Sequence, residues 1–212
     1  IEKWQPKLFN RSIILRVAAK LLMLADSVIS KIIFDGRNIN QNKNKIQTMP
    51  DPANSHQPVF GGFLKHIVTT SDISMEIIKH YPSLDRDLLL SGILLHDIGK
   101  VKSINEDLVP GHTIEGKLIG HIVLGRDIVL DTARSMKEFP VDILTKLEHI
   151  ILSYQSMPEK GSVTLPQFPE ALFVHYIDIL NGRLNLIMEV IENDPNMNWT
   201  AFQSQFKTEL FK

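Results

Sequence analysis

Hydrophobic residues recur at intervals of three and four along most of the chain, which is the spacing that places side chains on one face of a helix. The longest such stripe lies in residues 11–34 and ends before Gly36. Ser83 is predicted to cap a helix that Gly99 ends. The predicted helices after the first one cover residues 61–80, 84–98, 114–130, 141–154, 169–193 and 200–210. No segment alternates apolar and polar residues as a strand does, so the pattern predicts an all-α protein.

Turn-forming residues divide the chain into three parts. Residues 38–58 are polar and contain three prolines, which indicates a linker or a surface loop. We expect a basic N-terminal helix and linker in residues 1–55 and the main domain in residues 56–195. A C-terminal tail with a short helix is expected in residues 196–212.

The composition narrows the class of protein. With 212 residues, of which 43% are hydrophobic and 22% charged, the chain is typical of a globular protein with a buried core. It has no cysteine, which excludes disulfides, thiol nucleophiles and cysteinate metal sites, so any metal must be held by His, Asp or Glu. No apolar run approaches the roughly 18–20 residues of a membrane span, and no signal peptide is visible. We therefore expect a cytoplasmic protein without a membrane partner.

Charge is distributed unevenly along the sequence. Residues 1–50 contain nine Lys and Arg against three acidic residues, a net charge of +6, whereas the remaining 162 residues have a net charge of −7. Such asymmetry favours an anionic partner, such as nucleic acid, for the N-terminal segment. A solvated amphipathic helix with a basic polar face explains the same pattern equally well.

Several ionisable residues fall on apolar helix faces. His66 lies on the inward face of its predicted helix, His96 follows a long apolar run and is followed by Asp97, and Asp178 interrupts another apolar segment. Burying such groups is costly unless they are paired or bind a cation. One ligand from each of several helices is how a helical bundle builds a metal site in its core.

These residues occur in motifs whose order and spacing are specific. The sequence GGFLKH at 61–66, LLHDIGK at 94–100 and Asp178 resemble the HD-domain metal-dependent phosphohydrolases, and most closely their YhaM-type 3′–5′ exoribonuclease branch. The stretches EGKLIGH at 115–121 and LEHIILS at 147–153 support the resemblance, which covers about residues 55–185. It implies an HD-domain helical bundle around a divalent metal.

The resemblance also implies which residues hold metal. The ligands of a first ion would be His66, His96, Asp97 and Asp178, with Asp97 able to bridge two ions. His121 would help to hold a second ion, and His149 is a weaker candidate because its neighbours on the helix are polar. Imidazoles combined with carboxylates suit Mn, Fe, Co, Ni or Zn.

The implied mechanism is hydrolysis of a phosphodiester by a metal-activated water. Asp97 and Lys100 would be catalytic, with Lys100 binding a phosphate oxygen; alternatively, Lys100 is only a cation that offsets a helix dipole. Repeated at the end of a strand, the reaction gives 3′–5′ degradation of single-stranded RNA or DNA. The alternatives are a phosphohydrolase of small nucleotides and a catalytically degenerate HD domain that serves as a binding or scaffold module.

The sequence departs from the family pattern in places that bear on these alternatives. Tyr154 and Gln155 stand where the family pattern has a His-His pair. Gln57 stands where the pattern has a second histidine directly after His56, and Asn181 stands where it has an acidic residue. All these changes remove charge or metal-binding capacity near the second ion, so the sequence is compatible with one or two ions. The family also implies an OB-fold ahead of the HD domain. Either the basic N-terminal helix replaces it, or the OB-fold lies outside these 212 residues.

Overall fold

A computed structural model describes residues 62–105, 111–136, 138–156 and 162–212. The helix and linker predicted for residues 1–55 lie outside the described residues. The described helices are α1 (Gly62–Ile77), a 3₁₀ turn (Ile78–His80), α2 (Arg86–Leu95), α3 (Lys100–Ser103), α4 (Ile114–Leu118), α5 (His121–Arg134), α6 (Val141–Ser153) and α7 (Pro169–Asn193). Within these ranges paired backbone is limited to isolated bridges, so the prediction of an all-α fold is confirmed.

Helix α2 is the centre of the bundle and packs against α1, α6 and α7. Leu88, Leu89 and Ile93 are fully buried on different sides of it, as expected of a helix that is apolar all round. Gly92 allows α6 and α7 to approach closely, since a Cβ there would lie 3.0 Å from Ile150 and 3.2 Å from Val174. The end of this buried helix is therefore held in a fixed position inside the core.

The boundaries of α2 differ from those predicted. Asp85, and not Ser83, caps the helix: its carboxylate accepts hydrogen bonds of 3.0 Å from the backbone N–H groups of Asp87 and Leu88. The helix ends at Leu95, four residues before Gly99, which precedes α3. The residues between α2 and α3 form successive turns, and they carry the His-Asp pair.

The segment predicted as one helix over residues 114–130 is divided into α4 and α5. Gly120 separates them with a φ of 84°, a left-handed conformation that glycine adopts without the steric cost of a side chain. The break makes His121 the first residue of α5.

The helix predicted for residues 200–210 is wrong. Gln203 pairs with Thr208 across a turn in which Lys207 has a φ of 57°, which a right-handed helix does not allow. Arg183 of α7 fixes this turn, because its guanidinium donates to the carbonyl of Gln205 at 2.9 Å. In the described ranges, no helix has the length and apolar character needed to cross a bilayer.

Candidate metal centre

Two histidines from neighbouring elements are buried with defined hydrogen bonds. His66 of α1 is 8% exposed, and His96, at the end of α2, is 1% exposed. Nδ1–H of His66 donates to the side-chain oxygen of Asn181 at 2.8 Å, and Nδ1–H of His96 donates to the carbonyl of Ile93 at 2.8 Å. Asn185 donates to the same oxygen of Asn181, which orients that amide. With a proton on Nδ1, the neutral form of each ring has its lone pair on Nε2.

Asp178 of α7 completes a group of three ligand atoms. Its Oδ1 lies 3.3 Å from Nε2 of His66 and 3.7 Å from Nε2 of His96. One ligand atom from each of these three residues lies within 4.8 Å of the others. Neither Nε2 atom has a hydrogen-bond partner, although both are buried. Buried lone pairs beside a carboxylate fit a divalent cation, and two imidazoles with one carboxylate form a common transition-metal ligand set.

The electrostatics of the group also favour a cation. Burial raises the pKa of Asp97, but the charges of Lys100 and His96 outweigh it and lower that pKa well below its ordinary value. Burial likewise raises the pKa of Asp178, and the imidazoles of His66 and His96 beside it lower that pKa further than burial raises it. Burial lowers the pKa of His96, yet the two carboxylates raise it to about 10. The buried Asp97 and the partly buried Asp178 thus stabilise a positive charge at this position. Without a metal, a proton on Nε2 of His96 supplies that charge, and a metal ion would replace this proton.

Asp97 lies beside this group and has protein partners on both oxygens. Its Oδ2 forms an ion pair with the ammonium group of Lys100 and lies 3.5 Å from Nε2 of His96. Its Oδ1 accepts a 2.7 Å hydrogen bond from the hydroxyl of Tyr154. The ammonium of Lys100 therefore neutralises the carboxylate that lies next to the three-residue group.

His121 and Tyr154 form the neighbouring part of the site. Nε2 of His121 lies 2.8 Å from the hydroxyl oxygen of Tyr154 and 3.7 Å from Oδ1 of Asp97. Burial lowers the pKa of His121. Burial and the negative charge of Asp97 raise the pKa of Tyr154 well above its ordinary value. The tyrosine therefore keeps its proton in this environment.

Except for His96, the ionisable side chains described above line one cavity of about 430 Å³, a size in the range of small-molecule sites. It is lined by Phe63, His66, Asp97, Lys100, Ser103, Ile104, His112, His121, Tyr154, Gln155, Asp178, Ile179, Gly182, Arg183 and Leu186. Sequence reasoning did not place His112 or Arg183 here. His112 lines the cavity next to Ile104, with which it forms an isolated antiparallel bridge.

The structure does not bring His149 to this cavity. Nε2 of His149 accepts a hydrogen bond of 3.1 Å from the backbone N–H of Gln167, and its ring packs 5.2 Å from that of Phe168. The residue thus contacts the segment that leads into α7. Its polar neighbours on α6 are consistent with this position away from the buried group.

Comparison with known proteins assigns the chain to a family. Residues 63–182 match the HD-domain family model. The chain is 34% identical over 177 residues to the 3′-5′ exoribonuclease YhaM of Bacillus pumilus (strain SAFR-032), which covers 78% of the chain and 55% of the relative. It is 36% identical over 145 residues to YhaM of Bacillus licheniformis, covering 68% of the chain and 45% of the relative.

A third relative is YhaM of Bacillus subtilis (strain 168), with 34% identity over 176 residues, 77% of the chain and 55% of the relative. The chain thus spans about half the length of the curated relatives it matches. No solved structure gives a significant match. Because the family model covers more than half of the chain and includes His66, His96 and Asp178, the chain belongs to the HD-domain family.

Proposed function

We propose that this chain is the catalytic HD domain of a cytoplasmic, metal-dependent phosphodiesterase that degrades single-stranded RNA or DNA from its 3′ end. The observation that supports it most directly is the convergence of His66, His96 and Asp178, with two buried Nε2 atoms that have no hydrogen-bond partner. The relatives named as 3′-5′ exoribonucleases support the polymer substrate and the direction.

The ligand set suits Mn, Fe, Co, Ni or Zn. His66, His96 and Asp178 would hold the ion, and Asp97 would join them if Lys100 releases its Oδ2. Asn181 and the carbonyl of Ile93 accept the Nδ1 protons of the two histidines and so keep their Nε2 lone pairs directed inward. Asn181 thereby retains an orienting role although it carries no charge.

The residues of the cavity have distinct parts in the proposed reaction. When bound, the metal would supply an activated water and polarise a phosphoryl oxygen. Lys100 lines the same cavity, where it pairs with Asp97, and its ammonium group would neutralise negative charge that develops on the phosphoryl oxygens. Arg183 also lines the cavity, and its guanidinium suits the phosphate of the adjacent nucleotide.

The direction and substrate can be tested with a single-stranded RNA labelled at its 5′ end. The proposal predicts that the Mn²⁺-loaded protein produces a ladder of labelled fragments that shorten one nucleotide at a time. A label at the 3′ end should appear at once as a mononucleotide. Hydrolysis of free nucleotides without any shortening of RNA or DNA strands would contradict the polymer substrate, and a protein that binds metal but cleaves no phosphodiester would contradict catalysis.

Lys100→Ala is expected to lower turnover by about a hundredfold while metal content is retained. Loss of one group that stabilises transition-state charge has an effect of about this size. Steady-state kinetics on a short oligonucleotide at saturating Mn²⁺ would measure it. Lys102→Ala is the matched control, because Lys102 is an exposed lysine in the same short helix. Equal turnover in the two variants would show that Lys100 is only a helix-end cation.

Metal loading is expected to raise the melting temperature of the protein by about 5–10 °C at a free metal concentration of about 100 Kd. Binding to the folded state alone adds about 2.7 kcal/mol under this condition, and each kcal/mol shifts the melting temperature of a chain of this size by about 2–4 °C. Differential scanning fluorimetry with and without Mn²⁺ would measure the shift. Asp178→Asn should lose most of it, and an equal shift in that variant would place the ion elsewhere.

A further inference from the structure

We infer that Tyr154 and Gln155 close the position beside Asp97 and His121 at which a second ion would bind, so that the chain holds one divalent ion per molecule. This inference rests on the proposed metal site but is independent of the identity of the substrate. It is based on the position of the phenol oxygen of Tyr154, which lies between Asp97 and His121, the two side chains that would ligate a second ion.

The hydroxyl of Tyr154 joins these two side chains directly. Its oxygen lies 2.7 Å from Oδ1 of Asp97 and 2.8 Å from Nε2 of His121. Since a carboxylate oxygen only accepts hydrogen bonds, the phenol proton is directed at Asp97. The phenol oxygen then accepts from His121, whose Nε2 must carry a proton. A protonated ring nitrogen that donates to the phenol has no lone pair for a metal, whereas Nε2 of His66 and Nε2 of His96 have no hydrogen-bond partner.

Tyr154 is held in this position from several sides. Its side chain is almost completely buried, at 1% exposure, and its ring packs against that of His96 with centroids 4.8 Å apart. Its backbone carbonyl accepts a hydrogen bond of 2.6 Å from Nδ1–H of His175, a residue of α7. The amide of Gln155 donates to the phenol oxygen at 3.0 Å. The hydroxyl is therefore part of a fixed network and has little freedom to turn away.

The protein itself supplies a positive charge beside Asp97, where a second ion would bind. Lys100 forms an ion pair with Oδ2 of Asp97, while Tyr154 occupies Oδ1. A second ion would have to displace the hydrogen bonds of the phenol and compete with the ammonium group of Lys100. Tyrosine and glutamine are also poor substitutes for a pair of imidazoles as ligands of a divalent transition metal. Lys100 thus provides a positive charge beside Asp97, where a second cation would otherwise offset that carboxylate.

Metal stoichiometry tests this inference without reference to activity. After equilibration with Mn²⁺ or Zn²⁺ and removal of excess metal, native mass spectrometry should find one ion in the wild-type protein and two in the double variant Tyr154→His, Gln155→His. Gln155→His alone is the matched control and should keep one ion, because the phenol remains in place. Two ions in the wild-type protein, or one ion in the double variant, would overturn the inference.

The outcomes separate this inference from the proposed function. A wild-type protein that holds one ion but degrades no strand would contradict the exonuclease and leave the inference supported. A wild-type protein that takes up no ion would overturn both.

A measurement on the wild-type protein avoids the risk that the double variant does not fold. In ¹⁵N spectra of the histidine rings, added Zn²⁺ should shift Nε2 of His66 and His96, whereas Nε2 of His121 should keep its proton. A zinc-induced shift of the Nε2 signal of His121, with loss of its proton, would overturn the inference.

Discussion

His96→Ala is expected to lower metal-dependent hydrolysis by at least about a thousandfold and to abolish metal retention. The variant removes one of the two buried Nε2 atoms and leaves the buried Asp97 and the partly buried Asp178 with less positive charge beside them. A thousandfold loss corresponds to about 4 kcal/mol of transition-state stabilisation, which is within the range that metal ions supply. Elemental analysis and turnover with Mn²⁺ on the same preparation would measure both effects.

The control for this variant is His149→Ala. His149 lies outside the cavity and contacts Gln167 and Phe168, so its removal should leave metal content and turnover close to wild type. Circular dichroism of both variants separates loss of the ligand from loss of the fold. If His96→Ala retained its metal and its activity in a folded protein, the assignment of the ligand group would be incorrect. A loss of metal in His149→Ala alone would point to the same conclusion.

Gly99→Ala is expected to destabilise the protein by about 3 kcal/mol or more, at the upper end of the range for overpacking. Gly99 has a φ of −63°, so the backbone itself accepts alanine. The obstacle is steric: a Cβ would lie 1.9 Å from the carbonyl oxygen of His121 and 2.5 Å from the backbone nitrogen of Gly125. Both atoms belong to α5, which cannot move away without displacing His121 from the cavity.

Thermal unfolding would show this effect as a fall of about 6–12 °C in the melting temperature. Gly182→Ala is the matched control, since a Cβ there meets no atom within 4 Å. Its replacement within α7 should stabilise the protein by about 0.5–1 kcal/mol, because alanine loses less backbone entropy in a helix. Similar melting temperatures for Gly99→Ala and wild type would mean that the turn after the His-Asp pair does not contact α5 so closely.

The helices of the core are predictable because each carries its own signals. Residues 169–193 are predicted and observed as one helix, since a proline at its start is compatible with the first turn and Asp194-Pro195 stops it. The C-terminal tail was not predictable in the same way. Its turn is held by Arg183 of α7, 22 residues before Gln205, and the residues of the tail alone do not predict such a contact. Gly120 is visible in the sequence, but its left-handed φ is not.

In the candidate site, too, the ligand residues could be predicted from the sequence, whereas contacts between distant parts of the chain could not. His66, His96 and Asp178 could be recognised because ionisable residues on apolar helix faces must have partners, and each lies in its own helix or at the end of one. The position of the Tyr154 hydroxyl depends on the relative placement of α5, α6 and the turn after α2. Sequence alone marked Tyr154 as a departure from the family pattern, whereas its contact with Asp97 and His121 requires the assembled bundle.

The most direct test of the central claim is the position of the ion itself. Crystals grown with Mn²⁺ and measured near its absorption edge would locate it by anomalous scattering. We expect a peak about 2.0–2.3 Å from Nε2 of His66, Nε2 of His96 and an oxygen of Asp178, the distances usual for such ligands. No anomalous peak among these three residues, in crystals grown with saturating Mn²⁺, would contradict the account.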